Sequence, residues 1–156
     1  EEHQEPHGGI VPFVPDPDQR RPALPRYPPP GPVENSPINL LLGATPEDLP
    51  DGRVRLRLGV RPEFANETGA THGGVAAFLL DGAMGRAMVR TLGPAETCAT
   101  VQLSLQFLSP ARGLLTAEAR IVRRGRRVAF LEADCKGEDG KLVGRAQGTW
   151  ALSEKR

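Results

Sequence analysis

The sequence predicts an α+β domain in which one antiparallel sheet packs against one long helix. Three observations lead to this class: residues 74–92 are largely apolar, four segments between residues 100 and 152 alternate apolar with polar residues, and Asp139-Gly140 separates the last two segments. Alternation of this kind is typical of half-buried strands, and Asp-Gly is typical of a tight hairpin turn. Because a helix and a sheet each bury one apolar surface, the two layers must cover each other.

In chain order, we expect a short apolar helix, a strand, a loop, the long helix and then four antiparallel strands in a meander. The short helix has one or two turns, and the first strand alternates valine and leucine with arginine. The corresponding residues are 37–43, 52–60, 67–74, 74–92, 100–108, 114–122, 127–137 and 141–152. A single sheet of this kind leaves an open edge and one uncovered face, which favours a dimer.

Residues 1–37 are interpreted as a proline-rich amino-terminal arm, with the domain covering residues 38–156. Eleven of the sixteen prolines lie between Pro6 and Pro37. Proline lacks a backbone donor and fixes φ, so a long helix or an inner strand is excluded here and an extended arm is expected. The arm is either a flexible leader or a segment that lies on the domain or on a neighbouring subunit.

The composition excludes several classes of function. Aromatic residues make up 4% of the 156 residues and the net charge is +1, so neither base stacking nor a nucleic-acid partner is expected. No apolar stretch reaches membrane-spanning length and no signal peptide is recognisable, so we expect a cytoplasmic protein without a membrane partner. Cys98 and Cys135 have no metal-like spacing with the histidines; we expect free thiols in a reducing compartment, with a disulfide as the alternative.

Asp81 is the most unusual residue of the predicted long helix, since it lies between Leu80 and Gly82 in an apolar stretch. A buried carboxylate without a partner costs several kcal/mol, so it must be paired, protonated or facing a cleft. Asp81 is therefore a candidate catalytic group in a cleft. The alternative is an ion pair with Arg86 or with an arginine on a strand.

The tripeptide His72-Gly73-Gly74 immediately precedes this helix. Glycines at a helix start allow a ligand to approach the backbone, and the free N–H groups there can stabilise an oxyanion. An ordinary loop is the alternative. Eight helical residues separate Gly73 from Asp81 by about 12 Å, so a site that uses both residues would need Asp81 from a second subunit.

A second His-Gly-Gly tripeptide begins at His7, and Asp16 follows it at the same nine-residue spacing. Pro12 and Pro15 lie inside the stretch that would have to be helical. Neither a helix dipole nor a fixed position of Asp16 is expected there, and this copy is assigned to the arm without a catalytic role.

Two further polar residues flank the helix. Asn66, six residues before His72, is either a turn residue or a hydrogen-bonding group for a reacting water or carbonyl. Thr100, on a strand face opposite Val101, is either a choice of β-propensity or a hydroxyl that orients a water. Neither residue alone identifies a site.

Taken together, these residues resemble the hotdog-fold acyl-CoA thioesterases of the phenylacetyl-CoA and 4-hydroxybenzoyl-CoA thioesterase type. The resemblance extends from about Arg53 to Leu152 and is carried by the segments HGGVAAFLLDGAMGRAM, TVQLSLQFLSPARG and GRRVAFLEADCKGEDGKLVGRAQGTW. It implies a hotdog fold, in which the sheet wraps around the long helix and two subunits join their sheets edge to edge. It also implies substrates that are acyl or aryl thioesters of coenzyme A, and neither a metal nor a redox cofactor.

The resemblance further implies a role for each candidate catalytic residue. The Gly73 N–H polarises the thioester carbonyl, and Asp81 from the second subunit acts as general base on water or as nucleophile. Asn66 orients the attacking water or the loop, and His72 steadies that loop and lies at the thioester region. Thr100 resembles the hydroxyl that helps to hold the water.

Candidates for substrate binding are Gly74, Phe78, Gly82, Arg112, Arg126 and Arg127. Gly74 belongs to the helix start, and the next two residues lie along an expected apolar acyl pocket, where the glycine leaves space. By the resemblance, the three arginines lie near the segments that meet the nucleotide end of coenzyme A. Solvated surface charge is the alternative for the arginines.

We therefore expect a homodimer, or a tetramer of two dimers, that hydrolyses an acyl-CoA or aryl-CoA thioester. Two alternatives stay open. A hotdog enoyl-thioester hydratase would need a histidine paired with a carboxylate within one helical segment, whereas His72 precedes the helix. A non-catalytic acyl-CoA-binding or interaction module would not need a buried carboxylate at Asp81.

Overall fold

The computed structural model describes residues 35–155, so the predicted arm up to residue 34, including the His7 tripeptide and Asp16, lies outside the described residues. The described chain forms a six-stranded antiparallel sheet that packs against one long helix, which confirms the predicted α+β class and the hotdog arrangement. The elements are α1 (Pro37–Leu42), β1 (Thr45–Asp48), β2 (Val54–Gly59), a 3-10 turn (Pro62–Phe64), α2 (Gly73–Val89), β3 (Glu96–Phe107), β4 (Leu114–Arg124), β5 (Val128–Lys136) and β6 (Leu142–Glu154). No helix within these residues has the length and apolar character needed to cross a membrane.

Helix α2 is the predicted long helix, and it forms the centre of the core. Its buried residues recur every three or four positions and so form one face: Ala76, Leu79, Leu80, Ala83, Met84, Ala87 and Met88. This face packs against strands β2 to β6. Burying one leucine or methionine side chain stabilises the fold by about 1.5–3 kcal/mol, so α2 is held by the sheet rather than by its own helical propensity.

The strand order corrects the predicted meander. The sheet runs β1-β2-β4-β5-β6-β3, so β4, β5 and β6 form a meander but β3 pairs with β6 and not with β4. A strand has only two edges, and β4 uses one for β2 and the other for β5. Strand β3 therefore lies at one edge of the sheet, and its outer side is open in the described chain.

Strand β1 occupies the other edge and was not predicted. Its sequence TPED shows no apolar alternation. It pairs with β2 alone, where Pro46 is tolerated because an edge strand can lack one donor.

A β-bulge interrupts β3 at Val101. Thr100 pairs with Trp150 and Gln102 with Thr149, so Val101 has no partner of its own in β6. The bulge shifts the alternation of the strand by one residue. Val101, which continues the predicted apolar alternation of β3, is 65% exposed.

The shift places residues of different parity on the same side of the sheet. Cys98 before the bulge and Leu103 and Leu105 after it all pack against the core beside α2. Thr100 also faces α2, since its hydroxyl contacts a side chain of that helix. Without the bulge, a strand that directs Leu103 inward would direct Thr100 outward.

Candidate active site

The loop before α2 is organised by the side chain of Asn66. Its Oδ1 atom accepts hydrogen bonds from Thr68 N at 3.0 Å, Thr68 Oγ1 at 2.7 Å and Ala70 N at 3.2 Å. The backbone closes the same loop, because Gly69 N donates to Asn66 O at 2.9 Å with Gly69 at a φ of 71°. The carboxamide oxygen of Asn66 therefore holds the loop, and its Nδ2 group has no acceptor within residues 35–155.

A second set of contacts ties this loop to the connection between β3 and β4. Thr71 donates to Ala111 O through its backbone N at 2.9 Å and through its Oγ1 at 2.7 Å. The Arg112 guanidinium donates to the carbonyl oxygens of Gly69 and Thr68. Arg112 thus holds the loop before α2 from the β3–β4 connection.

His72 is the N-cap of α2. Its Nδ1 atom accepts from Gly74 N at 2.9 Å, and its carbonyl accepts from Val75 N at 2.9 Å. Between these two bonded groups, the N–H of Gly73 has no acceptor within the described part of the chain. It is an available donor at the positive end of the helix dipole.

Gly73 lines a cavity of about 330 Å³ between the loop and the end of β3, together with Asn66 and Phe107. The approach at this point is close, since a Cβ on Gly73 would lie 3.3 Å from the Phe107 ring. Phe107 itself is 58% exposed. The helix start therefore combines an available donor, a cavity and an apolar ring.

Asp81 lies in the middle of α2, half-buried, and accepts a hydrogen bond from Thr100 Oγ1 at 3.1 Å. Within residues 35–155 it forms no salt bridge, and the alternative of an ion pair with Arg86 does not hold. Arg86 instead pairs with Asp48 at 2.7 Å.

The two thiols do not compete with this carboxylate. Cys98 lies two residues before Thr100 on the face of the sheet that contacts α2, and burial raises its thiol pKa above the ordinary value. Burial raises the pKa of Cys135 to about 12. Both cysteines are free, as predicted, and neither carries a negative charge beside Asp81 at neutral pH.

The structure thus brings the predicted catalytic residues together in two groups rather than one. Asn66, His72 and Gly73 lie at the start of α2, and Asp81 with Thr100 lies at its middle. Along the helix the two groups are about 12 Å apart, which is too far for both to contact one thioester carbonyl.

The predicted residues of the acyl pocket have different surroundings. Gly74 is exposed beside the His72 ring, and Phe78 is half-buried against the core. A Cβ on Gly82 would lie 3.1 Å from Leu56 Cδ2 of β2. The close packing of α2 against Leu56 therefore explains why a residue without a side chain stands at position 82.

The predicted nucleotide-binding arginines lie at opposite ends of α2. Arg112 contacts the loop at the helix start, whereas Arg126 and Arg127 belong to the turn between β4 and β5. That turn lies beyond the other end of α2, where Arg124 donates to Thr91 Oγ1 at 3.2 Å. Arg126 and Arg127 have no ion-pair partner among residues 35–155, so their charge is available to a ligand.

Sequence reasoning missed Phe107 and the contacts of Arg112 with the loop. Both depend on the connection between β3 and β4 folding back onto the helix start, and no local pattern encodes that approach. Pro110, three residues after the end of β3, is a nearby signal that the strand does not continue, but it does not indicate where the connection goes.

Comparisons with known proteins identify the family and agree with the fold. Residues 68–144 match the sequence model of the Thioesterase superfamily. The Halobacterium salinarum protein named “Putative esterase” is 40% identical over 106 residues, which are 64% of this chain and 70% of that protein. A Bacillus halodurans protein whose crystal structure contains CoA is 28% identical with a TM-score of 0.72, covering 80% of this chain and 83% of that one.

A Ralstonia eutropha JMP134 protein, described as a “putative thioesterase, phenylacetic acid degradation-related protein”, is also similar. It is 31% identical with a TM-score of 0.70, covering 75% of this chain and 91% of that one.

Proposed function

The chain belongs to the thioesterase superfamily, and from this premise we propose that it hydrolyses an acyl-CoA or aryl-CoA thioester at a site shared by two subunits. One observation carries the proposal: Gly73, whose N–H has no acceptor within residues 35–155, lines the cavity at the start of α2. A fixed N–H at a helix start is suited to the oxyanion that forms when water attacks a carbonyl.

In the proposed reaction, Asp81 of one subunit removes a proton from water while the oxygen attacks the thioester carbon. The carbonyl oxygen becomes an oxyanion and accepts a hydrogen bond from the N–H of Gly73 in the other subunit. When this intermediate collapses, the C–S bond breaks, the thiolate of coenzyme A leaves, and the proton held by Asp81 passes to the sulfur. A direct attack by the Asp81 carboxylate, followed by hydrolysis of the resulting anhydride, is the second route to the same products.

The other candidate residues position these groups. Thr100 holds one oxygen of Asp81 and leaves the second oxygen for water. Asn66 keeps the loop closed through Oδ1 and offers Nδ2 to the water or to the carbonyl. His72 donates no hydrogen bond through Nδ1, since this atom caps the helix, so we assign it to fixing the position of Gly73 rather than to proton transfer.

Coenzyme A provides a reason for Arg126 and Arg127, which have no ion-pair partner within residues 35–155. The Bacillus halodurans relative contains CoA, and the nucleotide end of that molecule carries phosphates that arginine binds well. Arg112 and the Arg126–Arg127 pair are separated by the length of α2 in one chain, about 25 Å. Both can contact one coenzyme A only if they come from different subunits, as with Gly73 and Asp81.

Thiol release from a panel of aliphatic and aryl acyl-CoAs tests the activity. Two inactive variants test the shared site: Asp81→Asn removes the base, and Gly73→Pro removes the N–H. We expect each variant alone to be inactive. A heterodimer of the two, purified through two different tags, has one intact site out of two and should recover about half of the unsubstituted activity.

Two results would contradict the proposal. Absence of thiol release from every thioester would indicate a binding module in place of an enzyme. Release that is lost in both variants but not recovered in their heterodimer would indicate that Gly73 and Asp81 act within one chain.

A further inference from the structure

The Arg112 guanidinium contacts the loop before α2 at two carbonyl groups. Its Nη1 atom donates to Gly69 O, and its Nη2 atom donates to Thr68 O at 3.5 Å. Arg112 is exposed and forms no salt bridge within residues 35–155, so its charge is directed at these carbonyls. They use two of the five N–H groups of a guanidinium, and the others stay available to a phosphate of coenzyme A.

The backbone of Arg112 is fixed on both sides. Ala111 O accepts hydrogen bonds from the backbone N and the Oγ1 of Thr71, and Gly113 O accepts one from Val60 N at 2.8 Å. The β3–β4 connection therefore presents the guanidinium to the loop from a fixed position of the main chain.

The first of the two carbonyls belongs to a peptide group that also binds Asn66. Gly69 O and Ala70 N are the two ends of one planar trans peptide, so they point in opposite directions. The N–H end donates to Asn66 Oδ1 at 3.2 Å, and the carbonyl end accepts from Arg112. A cation on the carbonyl oxygen polarises the peptide group, which strengthens the N–H at its other end as a donor.

The second carbonyl is connected to the same asparagine. Thr68 O and Gly69 N are the ends of the preceding peptide group, and its N–H donates to Asn66 O at 2.9 Å. Both peptide groups that Arg112 holds therefore donate to Asn66, one to the side chain and one to the backbone. Asn66 is half-buried and Ala70 is buried, so the exposed guanidinium acts on them through the peptide groups.

We propose that Arg112 is a positioning residue for Asn66. Through the two peptide groups it holds Oδ1 in place, and so it directs Nδ2 to the cavity beside Gly73. This inference rests on the proposed function, in which Nδ2 binds the attacking water or the thioester carbonyl. It gives Arg112 a role in turnover, in addition to the proposed contact with coenzyme A.

The variant Arg112→Met tests this role, because methionine keeps an unbranched side chain but lacks the charge and the N–H groups. The substrates are the acyl-CoA that the chain cleaves fastest and the S-acyl-pantetheine with the same acyl group, which lacks the nucleotide and all phosphates. We expect kcat to fall by about fivefold with both thioesters, as for one lost hydrogen bond. A loss with acyl-CoA that disappears with the pantetheine thioester would assign Arg112 to phosphate binding alone and overturn the proposal.

A double substitution identifies the route of the effect. If Arg112 acts through Asn66, Arg112→Met should cause little further loss of kcat in a chain that already carries Asn66→Ala. Losses that multiply in the double variant would show that Arg112 acts on turnover by another route, which would also overturn the proposal.

Thr71→Val is the matched control for attachment of the loop. It removes the bond from Thr71 Oγ1 to Ala111 O, which joins the same loop to the same connection but involves neither of the two peptide groups. We expect it to lower the melting temperature about as much as Arg112→Met does, but to reduce kcat less. Equal losses of kcat in the two variants would reduce the role of Arg112 to attaching the loop and contradict the proposal.

Amide hydrogen exchange, followed by NMR, gives a result that does not depend on hydrolysis. In Arg112→Met we expect exchange of the Ala70 N–H to become about fivefold faster, because its bond to Asn66 Oδ1 is weakened. The Gly74 N–H, which donates to His72 Nδ1, should keep its exchange rate. Faster exchange at Ala70 in a chain that releases no thiol from any acyl-CoA would support the positioning of Asn66 and overturn the proposed function. Thiol release with unchanged exchange at Ala70 would do the reverse.

Discussion

The start and the middle of α2 both contain candidate catalytic groups, but their surroundings differ. At the start, Asn66 and His72 use side-chain atoms to hold the backbone, and Arg112 adds a contact from the β3–β4 connection. At the middle, Asp81 accepts one hydrogen bond within the described residues, from Thr100 on the strand at the sheet edge. The loop at the helix start is therefore held by many hydrogen bonds, whereas the Asp81 carboxylate is held through one of its two oxygens.

This difference separates two requirements of the proposed chemistry. An oxyanion donor must not move when charge develops, so it belongs in a loop with many internal bonds. A base must exchange a proton with water, so its carboxylate must keep an oxygen available. If the comparison is right, substitutions of the reacting groups should reduce turnover most, and substitutions of the groups that hold them should reduce it less.

The largest expected effect is that of Asp81→Asn. We expect kcat for acyl-CoA hydrolysis to fall by about 10²- to 10⁴-fold, because the amide cannot accept the proton of water. Asp48→Asn is the matched control, since it neutralises a carboxylate that binds the same helix through Arg86. Turnover by Asp81→Asn within a few-fold of Asp48→Asn would exclude Asp81 as the reacting group.

The next effect comes from two substitutions of Gly73, which distinguish the role of its N–H from the role of the space left by its missing side chain. Gly73→Pro and Gly73→Ala both place a Cβ near the Phe107 ring, but only proline removes the N–H. Proline is favoured at the first helical position, and His72, with φ −59° and ψ 134°, has a conformation that proline accepts after it. We expect Gly73→Pro to lose about 10²- to 10³-fold in kcat relative to Gly73→Ala. Equal kcat values would show that this N–H does not stabilise the transition state.

A smaller effect is expected at Asn66, where two variants separate the loop contact from the amide donor. Asn66→Ala should lower both the melting temperature and kcat, because three hydrogen bonds to Oδ1 are lost. Asn66→Asp keeps an acceptor oxygen, so we expect thermal stability to be restored while kcat stays about tenfold low, as for the loss of a hydrogen bond at the upper end of the usual range, about 1.4 kcal/mol. Full recovery of kcat in Asn66→Asp would show that Nδ2 takes no part.

The smallest effect is expected at Thr100. Thr100→Val keeps the shape and removes one hydrogen bond to Asp81, worth about 1 kcal/mol or a fivefold change in rate. Thr100→Ser keeps the hydroxyl and should retain the rate. A loss in Thr100→Ser as large as in Thr100→Val would assign the role of Thr100 to packing of its methyl group.

Helices and strands with a regular local pattern of apolar residues could be predicted from the sequence. The order of the strands in the sheet could not, because it depends on pairing between distant segments. The apolar spacing of α2 and the alternation of β2 and β4 to β6 are properties of short segments, and the structure shows these elements near their predicted bounds. The position of β3 depends on which strand edges remain after β4 pairs with β2 and β5, and no segment records that choice.

The candidate site shows the same division. His72 and Gly73 were recognisable because they adjoin a helix start, and Asp81 because it interrupts an apolar stretch. The contact of Arg112 with Gly69 joins residues 43 positions apart, and nothing near either residue predicts it. The β-bulge could not be predicted, because apolar and polar residues of β3 alternate through Val101 without interruption.

The bulge at Val101 accommodates one extra residue in β3 without changing the side of the sheet that Thr100 faces. The partners of Thr100 and Gln102 are the neighbours Trp150 and Thr149, so a chain without Val101 would join the two halves of β3 in regular alternation. Thr100 would still face Asp81, and only the bend and the local twist that the extra residue gives the strand would be lost. Deleting Val101 would therefore show what this bend contributes, with every other side chain in its place.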